Sequence, residues 1–186
     1  IREEAEKRIG HLYPKVLITS DMALGRPDLK AHIGKRITAI AWIWARTVKS
    51  PNPAFSHIDV PLVSTFILTS RAGKDAYIEP VIEKSGYRFT VKVGKLNSAD
   101  SLRNGTKVSR ANFQCIMSGE PIPGDYIKSE AKAGRMGVRL LAVVADGEDG
   151  RVYLPPTPEQ ELAAKNAKPN WMPDVEISGS TQYIGV

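Results

Sequence analysis

An α+β fold, mostly antiparallel with helices at its ends, follows from three features of this sequence. Residues 37–48 (ITAIAWIWARTV) are a dense run of β-branched and aromatic residues closed by a proline-rich turn, which favours a strand over a helix. Residues 77–82 and 87–93 flank Glu83-Lys84-Ser85-Gly86, the pattern of a β-hairpin. Apart from a brief capped stretch near Ser20, helix signals are confined to the first dozen residues, to 125–135, and to the stretch after Pro158, so strands and helices do not alternate as in a parallel sheet.

The elements follow in chain order. Residues 1–12 predict a charged helix with Ala5, Ile9 and Leu12 on one face, ended by Pro14. Ser20 or Asp21 is placed to cap a short helix to Leu24, stopped by Gly25-Arg26-Pro27, and Asp28 to open a brief turn through His32. After the 37–48 strand, residues 60–69 (VPLVSTFILT) predict a second strand. In the second arm of the hairpin Tyr87, Phe89, Val91 and Val93 alternate with Arg88, Thr90 and Lys92, as in a half-buried strand. Residues 94–110 are polar and glycine-containing, the composition of a mobile loop. A short strand at 113–116 precedes a helix over 125–135 closed by Gly137. The most apolar strand is 139–145, turned by Asp146-Gly147-Glu148-Asp149-Gly150 into Val152-Tyr153-Leu154. Thr157-Pro158-Glu159-Gln160 is a capping box with proline at the first helical position, opening a helix to about Lys168. Beyond Pro169 the chain reads as extended, anchored by Trp171.

These elements group into an N-terminal helical segment (1–34), a β-rich domain with its helix 125–135 (35–155), and a C-terminal helix with an extended tail (156–186). With 186 residues the chain can bury a core without staples. No apolar run approaches a transmembrane helix, and the charged N-terminus lacks the apolar core of a secretory signal. A single cysteine excludes an internal disulfide and fits a reducing, cytoplasmic setting. The formal charge of +6 favours an anionic partner, nucleic acid first. Because Ile1 falls inside a helical pattern and Ser178–Val186 stops in a loop, the chain reads as a piece of a longer protein.

Catalysis is judged by what is missing. The sequence has no Walker loop, no G-x-G-x-x-G after a strand, no G-x-S-x-G elbow and no H-E-x-x-H. His11, His32 and His57 are scattered, and His57-Ile58-Asp59 offers too few groups for a site. Cys115 sits among Phe113, Ile116 and Met117 and reads as a small buried hydrophobe rather than a nucleophile. No catalytic residue is assigned. Lys128, Lys132 and Arg135 share one helical face, and Arg139 extends the row. Such a row can neutralise several phosphates of a duplex, although a charged face beside Glu130 is more often merely solvated. Trp42, Trp44, Tyr87 and Phe89 read as core residues rather than a base-stacking strip.

Two short stretches resemble zinc knuckles stripped of ligands: Ser50-Pro51-Asn52-Pro53-Ala54-Phe55 and Cys115-Ile116-Met117-Ser118-Gly119. With cysteine at Ser50, Phe55 and Ser118 beside Cys115, they would read Cys-Pro-x-x-x-Cys and Cys-x-x-Cys-Gly, pairs that place four thiolates around one tetrahedral metal. As written, one thiolate makes no structural zinc site, and no metal is expected.

The flanking segments add a kinship. Residues 39–49 (AIAWIWARTVK) entering the first knuckle, and 134–144 (GRMGVRLLAVV) after the helix, resemble a family of adenine-specific, zinc-ribbon-containing DNA methylases; 6–14 and 150–155 resemble its branch that has lost its ligands. In that family the corresponding stretches are a Trp-x-Trp-Ala-Arg-Thr-Val strand leading into Cys-Pro-x-x-x-Cys, and a Gly-Arg-x-Gly-x-Arg-Leu-like segment. The resemblance implies a degenerate zinc-ribbon-like domain in which Ser50, Phe55, Cys115 and Ser118 occupy the ligand positions without a metal. It implies an accessory region, positioning DNA or a catalytic domain in cis, of an S-adenosylmethionine-dependent methyltransferase in a restriction-modification or phage-defence setting. The family's Gly-rich cofactor loop and Asp-Pro-Pro-Tyr motif do not stand in this sequence, so the segment is expected to be non-catalytic and to hold no cofactor itself. The alternative expectation is a non-enzymatic protein-interaction domain of such a system. Neither reading involves a membrane.

Overall fold

A computed structural model gives the fold of the protein and describes residues 2–71, 73–95, 100–148 and 150–167. The α+β expectation holds: every pairing among the described strands is antiparallel, in three sheets. The charged opening is helix α1 (Arg2–Ile9), and strand β1 (Lys15–Leu17) pairs with the fourteen-residue β2 (Arg36–Lys49). Between them Ser20–Arg26 forms successive turns rather than a capped helix, and Pro27–His32 is a 3-10 turn. At its far end β2 also pairs with β3 (Asp59–Pro61). Its long partner is β10 (Gly137–Gly147), which hairpins into β11 (Gly150–Leu154).

The second sheet contains β4 (Ile67–Thr69), β5 (Ala76–Glu83) and β6 (Gly86–Val93). The expected hairpin is therefore present, with Lys84 and Ser85 between its arms. The third sheet is small: β7 (Lys107–Ser109), β8 (Asn112–Gln114) and β9 (Pro121–Ile122). Helix α2 (Asp100–Asn104) precedes it, α3 (Gly124–Lys132) leads from it back to β10, and α4 (Pro158–Asn166) follows β11.

Both faces of the β2–β10 ladder are covered, which is why β10 is apolar without alternation. On one face Leu140, Val143 and Ala145 meet Ile37, Ala39, Val152 and Leu154, together with Ile18, Ala23 and Leu29 of the N-terminal segment. On the other, Ala45, Leu141 and Ala142 meet Ile78, Phe89 and Val91 of the second sheet. Irregularities between Leu140 and Ala142 and between Val144 and Ala145 re-aim the side chains, so consecutive residues serve different faces. Trp42 and Trp44 pack against the first cluster, and Phe89 is buried in the second.

Three further expectations are corrected. Residues 60–69 are not one strand: Pro61, without an N–H, ends β3, and the chain crosses to another sheet before β4. Within the polar 94–110 stretch, α2 and β7 are ordered by two anchors that composition does not reveal. The Leu102 carbonyl accepts from Phe66 N–H at 2.8 Å, and buried Thr106 donates to the Pro61 carbonyl at 2.6 Å while accepting from Val63 N–H at 3.0 Å. Helix α3 stops three residues before Arg135. Gly134, at φ +67°, donates to the Ala131 carbonyl and Arg135 N–H reaches the Glu130 carbonyl at 2.9 Å, a Schellman ending. Gly137 instead opens β10. The Thr157 cap of α4 is as expected, its hydroxyl accepting from Gln160 N–H at 3.3 Å. The Gln160 side chain, however, accepts from the Trp42 indole at 3.3 Å, tying α4 to β2. Trp171 and the tail lie outside the described residues.

Candidate functional site

The two knuckle stretches, separate in sequence, meet in space. Ser50 follows β2 and is buried; its N–H donates to the Ile58 carbonyl at 3.0 Å, closing the loop that carries Phe55. Asn52 caps that loop by accepting from Ala54 N–H at 2.8 Å, and Phe55 N–H donates to the Asn52 carbonyl at 2.9 Å. The second knuckle links β8 to β9. Cys115 N–H donates to the Glu120 carbonyl and Gly119 N–H to the Cys115 carbonyl, both at 2.8 Å, with Gly119 at φ +72°, a conformation that suits glycine.

Cys115 is buried, and burial, the largest single influence on its thiol, pushes the pKa up. Hydrogen bonds from the Ser118 hydroxyl and N–H, the Ser50 hydroxyl and the Met117 N–H outweigh burial and hold the thiol below its ordinary value. The groups that lower the thiol therefore come from both stretches. Phe55 packs in the same cluster, with Val48, Ile58, Val60 and Ile122. All four positions singled out from the sequence therefore converge: Ser50 and Ser118 on the Cys115 sulfur, Phe55 against the surrounding core.

Their chemistry does not fit zinc. The set offers one thiol, two hydroxyls and a phenyl ring, and among the described residues no group of three histidine, cysteine, aspartate or glutamate side chains is placed to hold a metal ion. Phe55 instead packs against the apolar core that the two stretches share.

Helix α3 docks on this core through Tyr126 and Ile127, and the Tyr126 hydroxyl donates to the Lys49 carbonyl at 3.1 Å. Lys128 and Lys132 point the other way, into solvent. Lys128 pairs with Asp125 at 3.1 Å, a surface contact of little energetic weight. Among the described residues Lys132 has no ion-pair partner. Arg135, beyond the helix, turns back on Glu130 with two hydrogen bonds of 3.0 and 2.5 Å. The guanidinium holds the Glu130 carboxyl below its usual range, and the carboxylate raises Arg135 in turn.

Arg139 leaves the row altogether. It lies on β10 with its guanidinium 5.4 Å from the Tyr87 ring centroid. The Tyr87 hydroxyl donates to the Asp59 carbonyl, and its pKa is pushed up to about 12, mainly by burial and further by Asp59 and Cys115, against the lowering effect of Arg139. The structure thus keeps Lys128 and Lys132 as an outward cationic pair, ties Arg135 to a carboxylate and gives Arg139 a packing partner. The sequence reading missed the docking role of Tyr126 and the Glu130–Arg135 fork. The apolar spacing of Tyr126 and Ile127 against Lys128 and Lys132 was the available signal. His57 is exposed, and Asp59 pairs with Lys49 at 3.0 Å, so no acid–base pair forms there.

No helix among the described residues is long and apolar enough to cross a membrane. Compared with protein-family models, with curated proteins and with solved structures, the chain finds no match in any of the three.

Proposed function

We propose that this chain is an accessory, DNA-positioning region of an adenine-specific, S-adenosylmethionine-dependent DNA methyltransferase of a modification or phage-defence system, working in the cytoplasm beside a catalytic domain in cis. The observation that carries the reading is the convergence of Ser50, Phe55, Cys115 and Ser118 in one core, with hydroxyls from both knuckles on one sulfur. Their meeting in one core supports descent from a ribbon that has exchanged its metal for apolar packing. An adenine must leave the stack before its amino group can be methylated, and holding the flanking backbone is work for such a region. Lys128 and Lys132 on α3 are the phosphate contacts this reading favours, with Arg135 and Arg139 as secondary contacts once their present partners are released.

The test is fluorescence anisotropy with a short adenine-containing duplex across a salt series. Binding is expected at low salt, with log K falling against log salt by about 0.9 per phosphate neutralised. Lys128→Glu with Lys132→Glu should weaken it by roughly tenfold or more. Absence of binding at low salt would favour the alternative, a protein-interaction domain of the same kind of system that touches no DNA.

A further inference from the structure

Strand β2 lacks a neighbour along the middle of one edge. Thr38 pairs with Lys15 of β1 on one side and Asp146 of β10 on the other, and Thr47 pairs likewise with Pro61 of β3 and Gly137 of β10. β1 and β3 therefore lie on the same side of β2, end to end, while β10 runs along the opposite side. The Ala39 N–H still reaches the Pro14 carbonyl at 3.0 Å, and the Arg46 carbonyl accepts from Leu62 N–H at 2.8 Å. Between these two contacts, over residues 40–45, no described strand pairs with that edge. The gap is a notch of about 20 Å between β1 and β3.

Backbone groups of successive residues point to alternate sides of a strand. With the Arg46 carbonyl facing β3, the N–H and carbonyl groups of Trp44 and Trp42 face the notch, and those of Ala45, Ile43 and Ala41 face β10. Ile40, which has no opposite number on β10, shifts the phase so that Ala39 faces β1. Both tryptophans thus offer ladder groups that no described strand takes up. Burial is lopsided in the same way. Residues 140–145 of β10 are all buried, whereas Ile40 is 39% exposed, Ala41 is exposed, and Trp42, Ile43 and Trp44 are half-buried. An open edge of aromatic and β-branched residues is a template for another strand.

We infer that the notch is a strand-docking site and that its occupant is residues 174–178 of this same chain. A second copy does not fit. In each molecule β1 and β3 stand beside the recessed edge, so two such edges cannot meet, and only a single extended segment enters. Asp174-Val175-Glu176-Ile177-Ser178, outside the described residues, alternates polar with β-branched residues, the sequence pattern of a strand. Helix α4 brings this stretch to the notch, because Gln160 accepts from the Trp42 indole at 3.3 Å. From Gln160 to Asn166 the helix advances about 9 Å. Residues 167–174 then span up to about 25 Å, enough for any point of the notch. The tether makes docking intramolecular, at an effective concentration on the order of millimolar. Val175 and Ile177 on the tryptophan face give aromatic–β-branched neighbours, a favourable cross-strand pairing. The segment is a strap that closes the sheet and that any competing strand has to displace.

Amide hydrogen exchange of the full chain, followed residue by residue by NMR, tests this. In the parent the Trp42 and Trp44 amides should exchange slowly. The variant is Val175→Pro/Glu176→Pro. Adjacent residues aim their N–H groups to opposite sides, so one proline removes a donor aimed at β2 whichever register the strand takes. In it both tryptophan amides should exchange roughly tenfold or more faster, as local opening allows, while Ile43, whose amide faces β10, is unchanged. That pattern supports the strap. Rapid exchange of Trp42 and Trp44 in the parent, or protection that survives the prolines, would overturn it. So would protection that grows with protein concentration, the mark of a second copy, or prolines that expose Ile43 equally.

Discussion

Placing three thiols beside Cys115 tests the proposed knuckle kinship directly. In Ser50→Cys/Phe55→Cys/Ser118→Cys, sulfur replaces the two hydroxyls that help hold the Cys115 thiol below its ordinary value. Four sulfurs around one zinc, each about 2.3 Å from it, stand roughly 3.8 Å apart. Without metal the variant loses much of a half-buried ring. The cost is about 1–3 kcal/mol, below the 3–5 of a fully buried phenylalanine cut to alanine. At about 2–4 °C per kcal/mol for a chain of this size, the metal-free variant should melt several degrees below the parent. Structural zinc contributes an apparent 10–16 kcal/mol or so in small peptides at neutral pH, far more than the lost packing. The zinc-loaded variant should therefore hold one equivalent by elemental analysis and melt above the parent, and chelator should reverse the order. Substoichiometric zinc, or full zinc with no rise in melting temperature over the chelated form, would refute the argument that these positions retain ribbon geometry. A fourth change, Cys115→Ser, should abolish the gain.

Two further outcomes follow from single contacts. Thr106→Val leaves the buried Pro61 carbonyl and Val63 N–H without their shared hydroxyl, and should destabilise the chain by about 1–3 kcal/mol by denaturant melting. Thr106→Ser should recover most of that loss. Glu130 has a folded pKa held below its ordinary value by Arg135, so the stabilisation is complete above the usual carboxylate range and is lost as pH falls through it. Glu130→Gln should flatten the acid limb of the stability–pH curve below about pH 5 while leaving its alkaline side unchanged.

The strands that pack on both faces were legible because their composition admits little else: residues 37–48 and 139–145 became β2 and β10 with small changes of boundary. Hairpin alternation fixed β5 and β6 in the same way. Residues 60–69 were misread because period and propensity continue across Pro61, whereas the change of sheet is decided by Thr106, forty-odd residues on. Helix α3 was drawn too long because basic residues at regular spacing continue past Gly134, and only backbone geometry shows where the Schellman ending falls. The same extrapolation placed Arg135 on one face with Lys128 and Lys132 and let Arg139 extend the row. The knuckle positions were found from their turn chemistry, but that Ser50 and Ser118 both hydrogen-bond to Cys115 is a tertiary fact. The role of Arg26 left no local trace either: an ordinary charge before proline in the sequence, it binds the Val91 and Tyr153 carbonyls and Asp28 in the fold.

The length of β2 fixes how far apart its two ends work. Thr38 pairs with Asp146 near one end, and Lys49, eleven residues on, accepts the Tyr126 hydroxyl that seats α3. At about 3.3 Å per residue the strand separates the two regions by roughly 35 Å. That distance matches about one turn of B-form duplex. A contact at one end therefore leaves the other open, and only a partner of at least that span can report to both, which makes β2 a built-in ruler.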